Sequence, residues 1–213
     1  NVKVLLPVKT LDNLMRVKLQ QLLVLTGLLV CFIPFSFGKP TTYVIDPDHT
    51  FPTFEADHMG GLSLWRGRIN STTGEIILDK KNKTGFVKVI MNMNSLDFGH
   101  DGMNKHAKSD DMFDIEKFPE SVYEGTLVNF QDGAPTKVEG ELTLHGITKK
   151  VDLEIKAFKC KLYPRPPTFK LKRVCGADAH GNLMRDDFGI RYAKMLGFKM
   201  DVALRIGIEA IKK

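Results

Sequence analysis

The sequence predicts an all-β domain of about eight strands, mostly antiparallel, interrupted by one helical excursion. Three observations carry this. In Val138–Ala157, Val138, Gly140, Leu142 and Leu144 alternate with Glu139, Glu141, Thr143 and His145. The phase then reverses, with Val151, Leu153, Ile155 and Ala157 apolar against Lys150, Asp152, Glu154 and Lys156. These are two half-buried strands joined across His145–Lys149, because a strand turns successive side chains to opposite faces, whereas a helix spaces its apolar residues three and four apart. Asp201–Ile211 shows the strongest alternation, with Val202, Leu204, Ile206, Ile208 and Ala210 on one face. In Asp97–Pro119 the alternation stops, and Met103 and Ala107, four apart, fit one face of a short helix.

In chain order, Tyr43–Asp46 is a short strand ended by Pro47, and His49–His58 is extended, with Pro52 marking an edge or a bend. Gly60-Gly61 turns the chain towards strands at Leu64–Ser71 and Gly74–Leu78. After a polar turn at Lys80–Thr84, Phe86–Asn94 places Val87, Val89, Met91 and Met93 on one face. The helical insertion, around residues 101–118, brings Met112, Phe113, Ile115 and Phe118 before Pro119. Val122–Phe130 is a strand and Gln131–Pro135 a turn. Pro164, Pro166 and Pro167 make Phe158–Arg173 a long loop, and Gly176–Arg185 reads as a polar turn. Strands with one apolar and one wet face fit a closed barrel or a two-sheet sandwich. Large aromatics are sparse on the best strands and Trp65 is the sole Trp, which leaves room for a cavity; a solid core fits the same pattern.

The folded domain is expected over residues 39–213. Residues 15–38 have the order of a secretory signal peptide: Arg16 and Lys18, an apolar Leu19–Ile33, then Ser36-Phe37-Gly38 for cleavage. Residues 1–14 read as an upstream extension with no structural role. Cys31 would leave with the signal, and Val30 before it argues against a lipoprotein anchor. Cys160 and Cys175 would remain, and in an oxidising compartment they are expected to form one disulfide.

The chain has 213 residues, 43% of them hydrophobic, and a net charge of +6. Lys3, Lys9, Arg16 and Lys18 against Asp12 place half of that charge before residue 39, so the domain lacks the basic excess typical of a nucleic-acid partner. The six histidines, His49, His58, His100, His106, His145 and His180, have no tight ligand spacing, so no metal is expected. His145 has a simpler role, fixing the turn after its strand. Asp110-Asp111 and Asp186-Asp187 are adjacent pairs whose members point apart in a strand; Gly-x-Ser-x-Gly and a phosphate-cradling glycine loop are absent. No catalytic residue and no cofactor are expected. Lys156–Arg173, interleaved with Phe158, Tyr163 and Phe169, suits a solvated loop, a transient contact with an anionic membrane surface or a cover for a barrel mouth.

Several stretches read together: Tyr43-Val-Ile-Asp46 with Asp48-His49-Thr50; His58-Met59-Gly60; Arg66-Gly67-Arg68; Ser95-Leu96-Asp97; Ser109-Asp-Asp-Met-Phe-Asp-Ile-Glu-Lys-Phe-Pro119; Gly140-Glu-Leu-Thr-Leu-His-Gly-Ile-Thr-Lys149; Arg185-Asp-Asp-Phe-Gly189; and Ile208-Glu-Ala210. In this order, over Tyr43–Ala210, the chain resembles the YceI family of secreted bacterial proteins. The resemblance implies a lipocalin-like, eight-stranded antiparallel barrel over 39–213, export to the periplasm, and an apolar lumen for a polyisoprenoid, an isoprenoid quinone, or a fatty acid or amide. A homodimer is compatible with it.

The residues expected to line the lumen are Val87, Val89, Met91, Leu142, Leu144, Val151, Leu153, Ile155, Val202, Leu204, Ile206 and Ile208, with Phe113 and Phe118 guarding an opening and Arg185 and Asp187 as head-group candidates. Two other functions are weighed against this one. A metal-dependent hydrolase needs His49, His58 or His106 to converge. A surface-acting stress or partner protein needs a solid core.

Overall fold

In the computed structural model, which describes residues 39–165 and 167–213, the alternating segments close into an antiparallel ring. The segments 1–14 and 15–38 lie outside the described residues. The strands are β1 (Thr41–Ile45), β2 (Phe51–His58), β3 (Ser63–Ile69), β4 (Thr72–Asp79), β5 (Thr84–Asn92), β6 (Leu96–Asp97), β7 (Glu120–Val128), β8 (Lys137–Leu144), β9 (Ile147–Lys150), β10 (Leu153–Arg165), β11 (Lys170–Met184) and β12 (Asp201–Lys212). The ring runs β1-β4-β5-β7-β8-β10-β11-β12 and returns to β1, an eight-stranded barrel. Closure leaves no open edge in the ring, which decides for the barrel over the sandwich.

β12 reaches beyond this ring. Its C-terminal end pairs β1 and its N-terminal half pairs β2, which carries β3 and β6 beside it. Between β1 and β2 the chain bends at Pro47, and Thr50 repairs the ladder. Its hydroxyl donates to the Glu209 carbonyl and accepts from the Glu209 amide, both at 3.1 Å, while its own carbonyl accepts from the Thr72 hydroxyl at 3.0 Å. Thr50 and Thr72 are almost fully buried, so these bonds meet polar groups that would otherwise be costly to desolvate.

The helical insertion is shorter than expected. A single helix, α1 (Asp101–Lys108), is capped by His100, whose ring nitrogen accepts from the Met103 amide. From Ser109 the chain proceeds in turns, with Asp114 in the left-handed region and the Phe113 amide bonding back to Ala107. Ser109, Asp110 and Asp111 are residues that favour turns over helix interiors. Ala107, Ile69, Met93 and Leu96 form a small core under this excursion, separate from the larger core inside the ring.

Three further segments differ from expectation. The link after β8 is only His145-Gly146, at φ 52° and 71°, between the paired Leu144 and Ile147. That is the two-residue hairpin turn with both central residues left-handed, where the absent Cβ of glycine matters. Ile147–Lys149, expected in the join, belong with Lys150 to strand β9. Phe158–Arg173 is not a loop but the far part of the β10–β11 hairpin, paired up to Arg165 and Lys170. Past Ile155 β10 has β11 as its sole strand partner among the described residues, so Pro164 sits on an edge where a missing N–H breaks no ladder. Gly176–Arg185 likewise belongs mostly to β11, which holds an 11-pair register with β12 from Val174 to Met184. Two of its inward positions, Ala177 and Ala179, are small, so the apolar alternation is faint in the sequence.

Cys160 and Cys175 face each other across this hairpin and are joined by a disulfide. With a sequence separation of 15, closing the loop contributes about 3 kcal/mol in the chain-entropy treatment. Replacing both cysteines by serine is expected to lower the unfolding free energy by about that amount. Urea unfolding of the oxidised protein and the variant checks this; equal midpoints would contradict it.

Candidate functional site

The inward side chains do not meet at the barrel centre. They enclose a cavity of about 410 Å³, within the range of small-molecule sites. β12 contributes Val202, Leu204, Ile206 and Ile208, opposite Leu183, Ala179 and Ala177 of β11. Leu204, Ile206 and Ile208 are only partly buried because they border a void. β5 adds Val87, Val89 and Met91, and Met93 follows it. β8 adds Leu142 and Leu144, β10 adds Leu153, Ile155 and Phe158, and Phe113 enters after α1. These include twelve of the fourteen expected lumen residues.

Val151 and Phe118 do not line the cavity. Val151 is 4% exposed but packs into the wall, where its carbonyl accepts from the Tyr123 hydroxyl at 2.9 Å and its amide donates to Gly140. The chain is irregular here, between β9 and β10. A register shift between Ile155 and Ala157 then turns Phe158, not Ala157, inward. Phe118 packs edge-on against His145, ring centroids 4.6 Å apart, over the Gly146 turn. The ring nitrogen Nδ1 of His145 donates to the Phe188 carbonyl at 2.9 Å, tying the β8–β9 turn to the Arg185–Phe188 turn. His145 thus fixes its turn through a partner 43 residues away.

Tyr123 is buried where the wall borders the cavity. Burial, followed by the negative Asp152 nearby, pushes its phenol well above the ordinary range, so the hydroxyl stays a donor.

One end of the cavity is aromatic, a feature that sequence reasoning missed. His58 stacks on Trp65 at 3.9 Å, Phe198 meets His58 edge-on, Phe98 meets Trp65 and Phe54 edge-on, and His106 meets Tyr192 at 4.5 Å. The alternation of Pro52, Phe54, Ala56 and His58 was a legible signal for β2, but the other rings come from distant segments. Tyr192 lines the cavity and is 45% exposed, so the lumen reaches solvent here. Met59, Leu62, Met195 and Leu196 leave an apolar rim beside the opening.

Among the lining residues only Asp57 and Arg185 carry a formal charge. Asp57 accepts from the Gly60 and Lys199 amides, each at 2.9 Å; the Lys199 amide above all holds its carboxyl below the usual range. Arg185 is 9% exposed and donates to the Ile190 and Tyr192 carbonyls at 3.2 and 2.9 Å. Asp187, the other head-group candidate, is exposed and does not line the cavity.

The histidines do not gather as the hydrolase reading requires. His58 and His106 are engaged by aromatic rings, and His49 lies with Asp46. Among the described residues one group of three possible ligand atoms occurs, from Asp46, His49 and Glu209. The Arg165 guanidinium already occupies it, paired with the buried Asp46 carboxylate and 3.4 Å from His49 Nδ1. A fixed cation there supplies the countercharge a metal ion would bring.

Comparison with known proteins agrees with this architecture. The family model for the YceI-like domain matches residues 43–210. Protein YceI of Escherichia coli O157:H7 is 31% identical over 194 residues, covering 89% of this chain and 97% of the relative. A UPF0312 protein of Vibrio campbellii is 35% identical over 133 residues, 61% of this chain and 69% of that protein. Among solved structures, Burkholderia cenocepacia BcnA superposes with a TM-score of 0.58 at 14% identity, over 78% of this chain and 99% of its own. A polyisoprenoid binding domain from Saccharophagus degradans gives a TM-score of 0.56 at 12% identity, over 81% and 99%. At those identities the structures speak for the fold alone; the match over 43–210 and the Escherichia coli relative go further, and this chain belongs to the YceI-like domain family.

Proposed function

We propose that the protein is an exported carrier that holds the apolar part of a long-chain amphiphile in its barrel lumen: a polyisoprenoid, an isoprenoid quinone, or a fatty acid or amide. The observation that carries this is the open cavity of about 410 Å³ with only two charged residues in its lining. An apolar chain entering it would gain about 0.8 kcal/mol per CH₂ removed from water. Met91, Met93 and Met112 supply an adaptable lining. The polyisoprenoid binding domain of similar fold supports the ligand class. Carriage involves no bond-breaking, so the proposal assigns no catalytic residue and no cofactor. Export to the periplasm with loss of residues 15–38 belongs to the same proposal, as does the lumen role of the twelve residues above. Organic extraction and mass spectrometry of the purified protein, followed by uptake assays with polyprenyl, quinone and fatty ligands, tests it. A bound amphiphile or saturable uptake near one per chain is expected; a protein that carries none and takes up none overturns the reading.

A carrier of this kind must meet a membrane, and the β10–β11 ribbon suits that contact. Leu162, Tyr163, Phe169 and Leu171 are 47–68% exposed. Between Lys156 and Arg173 there is no acidic residue. Arg165 is held by Asp46, while Lys159, Lys161, Lys170, Lys172 and Arg173 form no ion pair among the described residues. Each cation near an anionic bilayer contributes about 1 kcal/mol. Replacing Lys170 and Lys172 by Gln is therefore expected to weaken binding to phosphatidylglycerol-containing vesicles about 30-fold. Vesicle co-sedimentation at low and high salt measures this. Binding that survives the change but falls with Leu196→Ser would place the contact at the apolar rim instead.

A further inference from the structure

Arg185 is an anomaly in an apolar lumen. Its guanidinium, nine-tenths buried, faces the cavity and makes no ion pair among the described residues. Its two hydrogen bonds among the described residues go to the carbonyl oxygens of Ile190 and Tyr192, which use two of its five N–H donors and leave its charge in place. The nearby acids are otherwise engaged. Asp186 is paired with Lys194 at 2.6 Å, and Asp57 is met by two backbone amides. Desolvation of Arg185 outweighs the attraction of both, and its pKa is lowered. A buried cation without a partner is costly, and an anion brought to it recovers that cost. The two carbonyls hold the fork in one orientation beside the solvent-reaching end, next to Tyr192 and His106.

We infer that Arg185 recognises an anionic head group, so that the preferred ligand is a long apolar chain ending in a carboxylate or a phosphate. This rests on the lumen reading and deepens it. The alternatives to a charged head, an amide or an alcohol, would leave the guanidinium unpaired. Asp57 does not select a cationic head in its place, because the backbone amides and the neighbouring Lys199 already meet its charge.

The test compares matched pairs: hexadecanoate with hexadecanamide, and geranylgeranyl phosphate with geranylgeraniol, each titrated into the purified full chain. The wild type is expected to bind each anion at least about tenfold more tightly than its neutral counterpart, the scale of one charge-assisted hydrogen bond. R185Q, which keeps amide donors for the two carbonyls, is expected to bring the ratio close to one by weakening the anion more than its neutral counterpart. R185K is expected to keep part of the preference. The carboxylate and phosphate arms show which oxyanion the site favours. Equal wild-type affinities for anion and neutral chain overturn the inference and leave the lumen reading standing. An R185Q that weakens both members of a pair equally also overturns it, since Arg185 would then only hold the 190–192 segment. If no chain of any kind binds, both readings fall.

Discussion

Ala179→Trp is expected to abolish amphiphile uptake, lowering affinity by at least about 100-fold, while the barrel still folds. Ala179 lies opposite Ile206 of β12 and Ile155 of β10, all three lining the cavity. An indole added at this point occupies the space the ligand chain would use. In a filled core such an insertion typically costs 1–3 kcal/mol through strain. Here the side chain enters an existing void, and the apolar area it buries offsets part of that cost. The ligand, in contrast, loses several buried methylenes at about 0.8 kcal/mol each, and two or more tenfold steps follow from four such groups. Isothermal titration with hexadecanoate, alongside a thermal melt, separates the two effects. Unchanged affinity in a folded variant would show that the ligand does not occupy the lumen. The control is Ala203→Trp, at a half-buried residue of β12 that does not line the cavity, and it is expected to bind normally.

Gly140→Val is expected to destabilise the protein by more than about 4 kcal/mol, beyond the usual range for a single change. A Cβ at Gly140 would lie 2.6 Å from the Tyr123 ring carbon bearing the hydroxyl and 2.8 Å from the Glu124 carbonyl. Tyr123 crosses over Gly140 to reach the Val151 carbonyl, so the glycine is the floor on which the ring lies. Adding a branched side chain forces out a 7%-exposed tyrosine, breaks its hydrogen bond and pushes on backbone that cannot give. Tyr123→Phe alone removes just the hydroxyl and is expected to cost about 1 kcal/mol. In a double-mutant cycle, Gly140→Ala and Tyr123→Phe are expected to cost less together than the sum of the two, because the hydroxyl is part of the collision. Urea unfolding gives all four values; strict additivity would show that the close approach carries no energetic weight.

These two sites differ in how far the sequence exposed them. Gly140 lies within the alternating run of β8, and the motif around it pointed to both the strand and the following turn. Ala179 lies in a stretch of Gly, Ala, Asp and His that looked like a turn, since small inward residues give little hydrophobic contrast. The same smallness helps keep the lumen open. The projecting hairpin was hidden for another reason: its three prolines suggested a loop, and only an unpaired edge makes a proline acceptable there. The His145–Phe188 bond shows how two sequence motifs, far apart in the chain, depend on each other for their turns.

Period-two alternation on most strands, a chain reversal after Leu144 and the pairing of Cys160 with Cys175 were set by local chemistry, so residue order alone determined an all-β domain and most of its inward face. Whether those faces meet or stand apart depends on strand number, closure and register, which are long-range quantities. Tertiary structure alone therefore decided that the barrel is hollow, that Val151 and Phe118 stand outside its lining, and that the single arginine in that lining lies beside the aromatic end that reaches solvent.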